Sequence, residues 1–431
     1  MSLKNFEWET VNCARCSLCK WVDPWELTSE RFAKVCPAVA RYLFDAYSCQ
    51  GKMDVASGLM RGELDFTESL LDIVYKCNLC GACDTMCKRS RDLEPLLMFK
   101  ALRAKCIEDG QIIPEHMFMI DSLKREDNVF GEPKSKRGAW AEGLELKDTN
   151  KEKTEVLFHV GCRYSYDSDL WDTLRGVVDI LQASGVDFGI AGNEEACCGG
   201  RAYELGYQGE ASNFAEDFQG RVKASGATTL VTACSDCYAA FKYTHPSIGK
   251  ELSVEVLHIA EYLERLLEEG RLNLTQDLGM KVTYHDPCHL GRLSEPFIPW
   301  EGSRGTYGMH TPPKEFRRGT FGCYDTPRNV IRRVPGVELA EMERIREYSW
   351  CCGSGGGVWE AYPDFASWTA AERIEEALST GAEALVTACP WCVRAFKDSV
   401  GESEAPIKVY DLTELVRLAV GNDKKKSKKM V

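Results

Sequence analysis

The pentapeptide Ala196-Cys197-Cys198-Gly199-Gly200 decides the fold, because a second version of it occurs at Trp350-Cys351-Cys352-Gly353. Three further cysteines accompany each version, and the sequence around them repeats as well. The chain therefore contains two matched sets of five thiols, and any account of its function must explain both. The sets are Cys162, Cys197, Cys198, Cys234 and Cys237, and Cys288, Cys351, Cys352, Cys389 and Cys392.

The composition predicts a cytoplasmic protein that binds metal through its cysteines. With 431 residues the chain is long enough for two or three domains with hydrophobic cores, so it does not need disulfides to fold. Its 21 cysteines, with no apolar signal segment after Met1, are typical of a reducing compartment. No apolar run reaches the roughly 18 residues of a transmembrane helix. The net charge of -13 argues against nucleic-acid binding.

Two C-x2-C-x2-C runs, which begin at Cys13 and Cys77, predict a helical ferredoxin domain over residues 1–122. Three thiolates at this spacing wrap one face of a [4Fe-4S] cube, and in the bacterial ferredoxin pattern the fourth cysteine of each run binds the other cluster. Structural zinc is the alternative, because soft thiolates also select zinc. The predicted ligand sets are Cys13, Cys16 and Cys19 with Cys87, and Cys77, Cys80 and Cys83 with Cys36.

This region departs from the ferredoxin pattern in two places. Sixteen residues separate Cys19 from Cys36, and Lys88 rather than proline follows Cys87. The pattern of residues 25–35, within the longer spacing, predicts an extra helix. Apolar residues spaced by three and four predict further helices at 38–47, 52–60, 66–75 and 96–107.

Three single cysteines and two polar segments lie outside the repeated pattern. Cys49 and Cys106 are interpreted as buried free thiols, and Cys323 as an inert one rather than a ligand or redox thiol. Residues 123–154 are charged and irregular, which predicts a linker that lies on the next domain. The basic tail at 421–431 is predicted to be a solvated end, with binding to an acidic partner or anionic lipid as the alternative.

Strands that alternate with helices predict an α/β domain around each five-cysteine set, at 155–275 and 276–420. In the first domain, strands are predicted at 156–160, 186–190 and 229–232. Parallel βα units collect ligands beyond the carboxyl ends of their strands, so Cys162 and Cys234 are expected at one edge of the sheet.

The second α/β domain carries an insert. In the second copy 62 residues separate Cys288 from Cys351, whereas 34 separate Cys162 from Cys197, so the second copy has 28 additional residues. The segment at 294–328 is the expected position of this insert. A loop of this length is usually functional, which favours a docking or lid element, and elaboration without a role is the alternative.

The duplicated C-C-G motif and the two ferredoxin-type runs resemble the cysteine-rich domain proteins, and the order of the parts is most similar to the D subunits of heterodisulfide reductases. The resemblance covers residues 13–417, with both five-cysteine sets complete. It implies an α+β multidomain protein, in which an all-α ferredoxin domain with two cubane [4Fe-4S] clusters precedes two duplicated α/β cysteine-rich (CCG) domains. It also implies that each five-cysteine set binds a non-cubane [4Fe-4S] cluster.

The resemblance implies an iron-sulfur electron-transfer subunit of a larger cytosolic redox complex. Cubane clusters pass single electrons, whereas a disulfide needs two electrons and two protons to become two thiols. Two non-cubane clusters that face each other across a pseudo-two-fold axis are expected to hold one sulfur each. His285 and His289 flank Cys288 and are the candidate catalytic residues, as proton donors or hydrogen-bond donors to cluster sulfur. Packing against the following helix is the alternative role for both.

Two other functions remain open from the sequence. One is an electron relay without disulfide chemistry, in a complex for aromatic acyl-CoA reduction or 2-hydroxyacid oxidation. The other is a zinc-stabilised scaffold. The chain contains no glycine-rich nucleotide fingerprint, so flavin or nicotinamide is expected on a partner, and a flavin-containing redox subunit is the expected partner.

Overall fold

In the part of the chain that the structure describes, seven α-helices precede the first strand, and prolines and hydroxyl caps fix where several of them begin. Proline occupies the first position of three of these helices, where its missing N–H group costs nothing. The Ser48 and Thr67 side chains accept backbone N–H groups at the start of two others. The helices are α1 Glu7–Asn12, α2 Pro37–Tyr42, α3 Cys49–Arg61, α4 Glu68–Tyr75, α5 Ala82–Ser90, α6 Pro95–Glu108 and α7 Pro114–Glu126.

The computed structural model describes residues 2–315 and 317–420, so the predicted basic tail at 421–431 lies outside the described residues. In these two ranges, no helix combines the length and the apolar character that crossing a membrane requires.

The prediction of a helix at 25–35 is wrong. The segment forms a loop of turns, closed by an antiparallel bridge between Trp21 and Lys34. The N–H of Val22 donates to the carbonyl of Ala33 at 2.7 Å, which satisfies the backbone across the loop rather than along it. Pro24 favours a turn at this point, and pairing of the two ends of the segment overrides its helical periodicity.

The first α/β unit contains a five-stranded, all-parallel sheet in the order β1-β3-β2-β4-β5. Its strands are β1 Lys147–Asp148, β2 Val156–His159, β3 Phe188–Ile190, β4 Thr229–Thr232 and β5 Glu255–His258. Its helices are α8 Cys162–Tyr166, α9 Trp171–Ala183, α10 Gly200–Leu205, α11 Gln208–Ser225, α12 Ser235–Ala239, α13 His245–Ser247 and α14 Ile259–Glu268, with a π-helical segment at Ala240–Thr244.

The second unit repeats this topology with a four-stranded parallel sheet. Its order β11-β10-β6-β9 corresponds to β5-β4-β2-β3, so only the edge strand β1 has no counterpart among the described residues. The four strands of the sheet are β6 Met280–His285, β9 Val337–Leu339, β10 Ala384–Thr387 and β11 Lys408–Asp411. In the insert, β7 Ser303–Arg304 and β8 His310–Thr311 form a separate antiparallel pair. The helices are α15 Asp325–Arg332, α16 Val358–Ala361, α17 Pro363–Ser379, α18 Pro390–Ser403 and α19 Leu412–Ala419.

The two α/β units pack through equivalent elements. Helix α9 contacts α19, and α14 contacts α15, so exchange of the two units maps one contact onto the other. At the centre of the interface, the Ser235 hydroxyl donates to the carbonyl oxygen of Ala388 at 2.6 Å. One continuous hydrophobic core spans both units. The relation between them is therefore a pseudo-two-fold rotation.

The segment predicted as a linker, 123–154, is part of the folded body. Helix α7 continues to Glu126, and Lys147–Asp148 adds the edge strand β1 to the first sheet. Trp140 is 1% exposed and belongs to the core of the α/β units. Only a few residues of the segment are anchored in the core, and most of the others are polar. The pattern of the whole segment therefore predicted a linker.

The glycine-rich segment after Cys352 packs directly on the second ferredoxin-type run. A Cβ atom at Gly355 or Gly356 would lie 2.6 Å from the carbonyl oxygen of Asn78 or Cys77, respectively. The Asn78 side chain donates to the carbonyl of Gly353 at 2.7 Å. Backbone therefore meets backbone at this interface, and there is no room for side chains.

Replacing Gly356 with alanine is expected to lower the free energy of unfolding by about 1–3 kcal/mol, because the new Cβ would meet the Cys77 carbonyl at a residue with φ of +62°. Gly209→Ala is the matched control, since nothing lies within 4 Å of its Cβ position in helix α11. That change is expected to be neutral or to stabilise by up to about 1 kcal/mol. Anaerobic urea unfolding measures both, and equal losses would contradict the packing described.

Candidate functional site

The thiols of the two ferredoxin-type runs lie on tightly folded loops and on helix α5, which carries Cys83 and Cys87. Arg15, Ser17 and Leu79 have positive φ angles, which side chains rarely adopt, and Gly81 does so as well. Such backbone is typical of loops shaped around a bound group. Among the eight cysteines of these runs, Cys19 and Cys80 are buried and Cys16 is exposed.

The fourth cysteine of each run faces the other run. Burial raises the pKa of the Cys36 thiol, and the neighbouring thiols of Cys83 and Cys77 contribute to its shift. Burial likewise raises the pKa of Cys87, whose neighbours include Cys19 and Cys13. The structure thus brings Cys36 to the second run and Cys87 to the first.

All ten thiols of the two repeated sets are buried at the carboxyl ends of the parallel strands. Cys162 and Cys234 follow β2 and β4, and Cys288 and Cys389 follow their counterparts β6 and β10. In the first set, thiol contacts run through Cys162, Cys197, Cys198, Cys237 and Cys234 in that order. In the second, they run through Cys288, Cys351, Cys352, Cys392 and Cys389.

The paired cysteines have the same local geometry in both sets. The N–H of Gly199 donates to the Sγ of Cys197 at 3.5 Å, and the N–H of Gly353 donates to the Sγ of Cys351 at 3.3 Å. Both glycines have positive φ, and a Cβ at Gly353 would lie 2.4 Å from the carbonyl oxygen of Ala366. The glycine after each cysteine pair is therefore required by the backbone conformation and by close packing.

The two sets meet at the pseudo-two-fold axis. The thiols of Cys234 and Cys389 contact each other there, each from the first cysteine of a C-x2-C pair. A second contact joins the ferredoxin-type region to the second set, because the thiol of Cys80 interacts with that of Cys351. This interaction lowers the pKa of Cys80 to about 6. The thiols of all three parts of the chain therefore form one series.

Buried arginines lie beside the thiols. Arg292 donates to the carbonyl oxygens of Cys80, Glu347 and Ser349 at 2.7–2.9 Å, and its charge acts on Cys80, Cys288 and Cys351. Arg137 donates to the Sγ of Cys162 at 3.6 Å and pairs with the carboxylate of Glu195 at 3.0 Å. These cations offset the negative charge that deprotonated thiols bring into the interior.

His289 lies beside Cys288 and between two carboxylates. Its Nδ1 is 3.5 Å from the Sγ of Cys288 and 3.1 Å from Asp236, and its Nε2 is 2.7 Å from Glu204. Burial opposes the charged form, but Asp236, Cys288 and Glu204 together hold the pKa of His289 well above its usual value. Asp236 and Glu204 come from the first α/β unit, so the site requires both units. Their separation along the sequence explains why neither was predicted.

His285, the other predicted catalytic residue, occupies a different position. Its Nδ1 accepts from the Nε of Arg373 at 3.1 Å, and its ring packs edge-on against Phe396. It is 1% exposed, and burial beside Arg373 holds its pKa well below the usual value. The structure brings His289 to the thiols and places His285 in the core of the second unit.

Of the three single cysteines, Cys49 lies between the two ferredoxin-type runs. Its buried thiol contacts Cys19 of the first ferredoxin-type run and Cys83 of the second. Cys106 is 0% exposed in the helical core, and Cys323 is half-buried in the insert. A lone cysteine at the start of a helix carries no sequence signal for such a position, so the contacts of Cys49 could not be predicted.

The donor chemistry of these residues fits iron-sulfur clusters, because the converging groups are thiols on loops and strand ends with close backbone approach. Among residues 2–315 and 317–420, no three His, Cys, Asp or Glu side chains are grouped as ligands of one metal ion.

Comparison with known families gives matches to the helical region and to both α/β units. Residues 9–90 match the 4Fe-4S dicluster domain, and residues 156–242 and 307–397 match the cysteine-rich domain. The chain is 30% identical to the D subunit of the dihydromethanophenazine:CoB--CoM heterodisulfide reductase of Methanosarcina acetivorans, over 96% of this chain and 94% of that protein. The chain belongs to the family of heterodisulfide reductase D subunits.

Two further relatives of the chain have names that describe redox proteins. The probable iron-sulfur-binding oxidoreductase FadF of Bacillus subtilis is 28% identical over 85% of this chain and 50% of that protein. The EtfAB:quinone oxidoreductase of Syntrophomonas wolfei is 28% identical over 80% of this chain and 46% of that protein. The family resemblance predicted from the sequence is confirmed, and the chain is an iron-sulfur protein related to oxidoreductase subunits.

Replacing Arg137 with methionine is expected to lower the free energy of unfolding by about 3–5 kcal/mol, because it leaves the buried carboxylate of Glu195 without its cation. Arg221→Met is the matched control, since its pair with Asp217 lies at the surface and is expected to contribute less than about 1 kcal/mol. Anaerobic denaturation of both variants measures the difference. Losses of similar size would contradict the role given to Arg137.

Proposed function

We propose that this chain is the iron-sulfur electron-transfer subunit of a larger cytoplasmic redox complex. In this proposal, the helical region at 1–122 holds two cubane [4Fe-4S] clusters, and the units at 155–275 and 276–420 hold one non-cubane [4Fe-4S] cluster each. Electrons pass from the cubane clusters to the non-cubane pair, where a disulfide is reduced to two thiols.

The observation that carries this proposal is the unbroken series of thiol contacts across the three parts of the chain. Cys80 interacts with Cys351 at one interface, and Cys234 interacts with Cys389 at the other. Neighbouring redox centres at both interfaces would let electrons cross the whole molecule. A scaffold held together by isolated zinc sites has no need of such a series.

The ligand sets in this proposal follow the contacts described above. Each fourth cysteine, Cys36 and Cys87, joins the run that it faces. The sets for the cubane clusters are Cys13, Cys16, Cys19 and Cys87, and Cys77, Cys80, Cys83 and Cys36. The sets for the non-cubane clusters are Cys162, Cys197, Cys198, Cys234 and Cys237, and Cys288, Cys351, Cys352, Cys389 and Cys392.

The bound clusters would supply electrons one at a time. Reduction of a disulfide consumes two electrons and two protons, and the S–S bond is replaced by two S–H bonds. His289 is the proposed proton donor, because Asp236 and Glu204 hold its ring between them beside Cys288. His289 and Glu204 are buried, which strengthens the electrostatic interaction between them. His285, bonded to Arg373, is proposed to position β6 rather than to transfer protons.

The second candidate is an electron relay that does not act on a disulfide. The similarity to the EtfAB:quinone oxidoreductase and to FadF favours it, since neither name refers to a disulfide. In such a relay, a flavin-containing partner and a second enzyme, for example one that reduces aromatic acyl-CoA or oxidises 2-hydroxyacids, would exchange electrons through this chain. Both candidates require partner redox subunits.

Replacing Cys352 with serine is expected to remove one non-cubane cluster, which is about 4 of about 16 irons per chain, and to leave the cubane signals intact. Cys106→Ser is the control, because this buried thiol lies outside all four proposed sets. Iron and sulfide analysis with electron paramagnetic resonance (EPR) of the anaerobic protein measures both. Equal iron contents in the two variants would contradict the ligand assignment.

Disulfide turnover separates the two candidates. The chain reduced with titanium(III) citrate is expected to convert 3,3′-dithiodipropionate to its thiol, and His289→Gln is expected to slow this about 100-fold or more at unchanged iron content. His285→Gln is expected to change the rate far less. Full reduction of all clusters without any disulfide turnover would instead favour the relay.

A further inference from the structure

Eight arginines are buried in the part of the chain that the structure describes, and six of them pair with a carboxylate. A buried cation is costly unless an anion compensates it, so such pairing is the expected arrangement. The paired arginines are Arg137, Arg163, Arg201, Arg328, Arg344 and Arg373. The other two, Arg103 and Arg292, have no carboxylate within ion-pair distance among the described residues.

Arg103 joins the second ferredoxin-type run to the segment that follows the cysteine pair of the second α/β unit. It lies on helix α6 and is 0% exposed. Its Nη2 donates to the carbonyl oxygen of Cys77 and its Nη1 to that of Gly356, both at 2.7 Å. Its guanidinium group also lies over the ring of Tyr75, 4.8 Å from the ring centre.

Arg292 joins the same run to the segment that precedes this cysteine pair. Its Nε donates to the carbonyl oxygen of Cys80 at 2.9 Å. Its Nη1 donates to the carbonyl oxygens of Glu347 and Ser349 at 2.9 and 2.7 Å. The two buried arginines without a carboxylate therefore lie at the interface where Cys80 contacts Cys351.

The carbonyl groups around these two arginines carry no net charge, so they leave each cation without a counter-ion. Each guanidinium group also keeps one buried nitrogen with no acceptor among the described residues, Nε of Arg103 and Nη2 of Arg292. The charge of Arg292 acts on the thiols of Cys80, Cys288 and Cys351. An iron-sulfur cluster bound by thiolates is negatively charged overall, so bound clusters would supply the missing anions.

We propose that Arg103 and Arg292 are the counter-ions of the two clusters on either side of this interface, and that they raise the reduction potentials of both. One is the cubane cluster bound by the second ferredoxin-type run, and the other is the non-cubane cluster of the second α/β unit. This inference rests on the clusters of the proposed function, but on neither of its two candidate reactions.

The effect on the potential follows from the charge that reduction adds. Each reduction adds one electron to a cluster, while no bond breaks and the guanidinium group keeps its protons. A fixed cation nearby stabilises the more negative, reduced form, and burial strengthens this interaction. Because Arg292 lies beside ligands of both clusters, it raises both potentials together and favours the arrival of electrons at the interface.

The arginines near the other two proposed clusters already have carboxylate partners. Arg15, in the first ferredoxin-type run, is exposed and pairs with Asp54. Arg137, beside Cys162, pairs with Glu195. The increase in potential is therefore expected at the two clusters of the interface and not at the other two.

Redox titration of the anaerobic, cluster-loaded full chain, followed by EPR, measures the reduction potential of each cluster. The signals lost in Cys36→Ser and Cys352→Ser identify the two clusters of the interface. In Arg292→Met, the ratio of reduced to oxidised cluster at a fixed potential is expected to fall about tenfold or more for both of them. Arg103→Met is expected to lower this ratio for the cubane cluster that Cys77 binds.

Lysine variants separate the charge from the hydrogen bonds to the backbone. Arg292→Lys and Arg103→Lys keep the cation but cannot reproduce the planar set of donors, and their potentials are expected to stay close to those of wild type. Arg333→Met is the matched control for the loss of one positive charge. Arg333 belongs to the same unit but pairs with Glu268 at the surface, so no shift is expected.

Iron content and EPR of the wild-type chain show first whether the clusters are present, and their absence would contradict the proposed function itself. With clusters present, unchanged potentials in Arg292→Met, equal shifts of all four clusters, or equal shifts in the methionine and lysine variants would overturn the role given to the two arginines. Loss of iron from Arg292→Met but not from Arg292→Lys would support it, and loss from both would overturn it.

Discussion

The contact between Cys80 and Cys351 is the constraint on which the rest of the structure depends. It joins a thiol of the helical region to the cysteine pair of the second α/β unit, and direct backbone packing maintains it. Gly355 and Gly356 allow the two loops to touch, and Arg103 donates to the carbonyl oxygens of Cys77 and Gly356 at 2.7 Å. A rigid interface of this kind would keep the two proposed clusters at a fixed separation, which electron transfer between them would require.

Duplication gives the molecule a second constraint, because the two sets of thiols meet, and His289 lies between its two carboxylates, only when the two units pack together. The contact between Cys234 and Cys389 lies on the pseudo-two-fold axis, and His289 of one unit is held by Asp236 and Glu204 of the other. The symmetry is broken by the insert, which is present in the second unit only.

The sequence predicted the strands of the first α/β unit, the two-unit organisation and the position of the insert, since buried parallel strands, repeated motifs and spacing are local signals. It did not predict the loop at 25–35, whose two ends pair with each other, or the anchoring of 123–154 through Trp140. Contacts between distant residues were also missed: Cys49 lies between Cys19 and Cys83, and His289 lies between Asp236 and Glu204. Such contacts depend on how distant segments of the chain pack together, and a local sequence pattern does not predict that packing.

The account depends most on the closeness of the redox centres at the Cys80–Cys351 interface, and EPR of the partly reduced, anaerobic chain tests this directly. The account predicts magnetic interaction between a cubane signal and a signal of the second α/β unit, and predicts that the interaction disappears when Cys352→Ser removes its partner. A sum of independent, unbroadened spectra in the wild-type chain, unchanged in the variant, would contradict it.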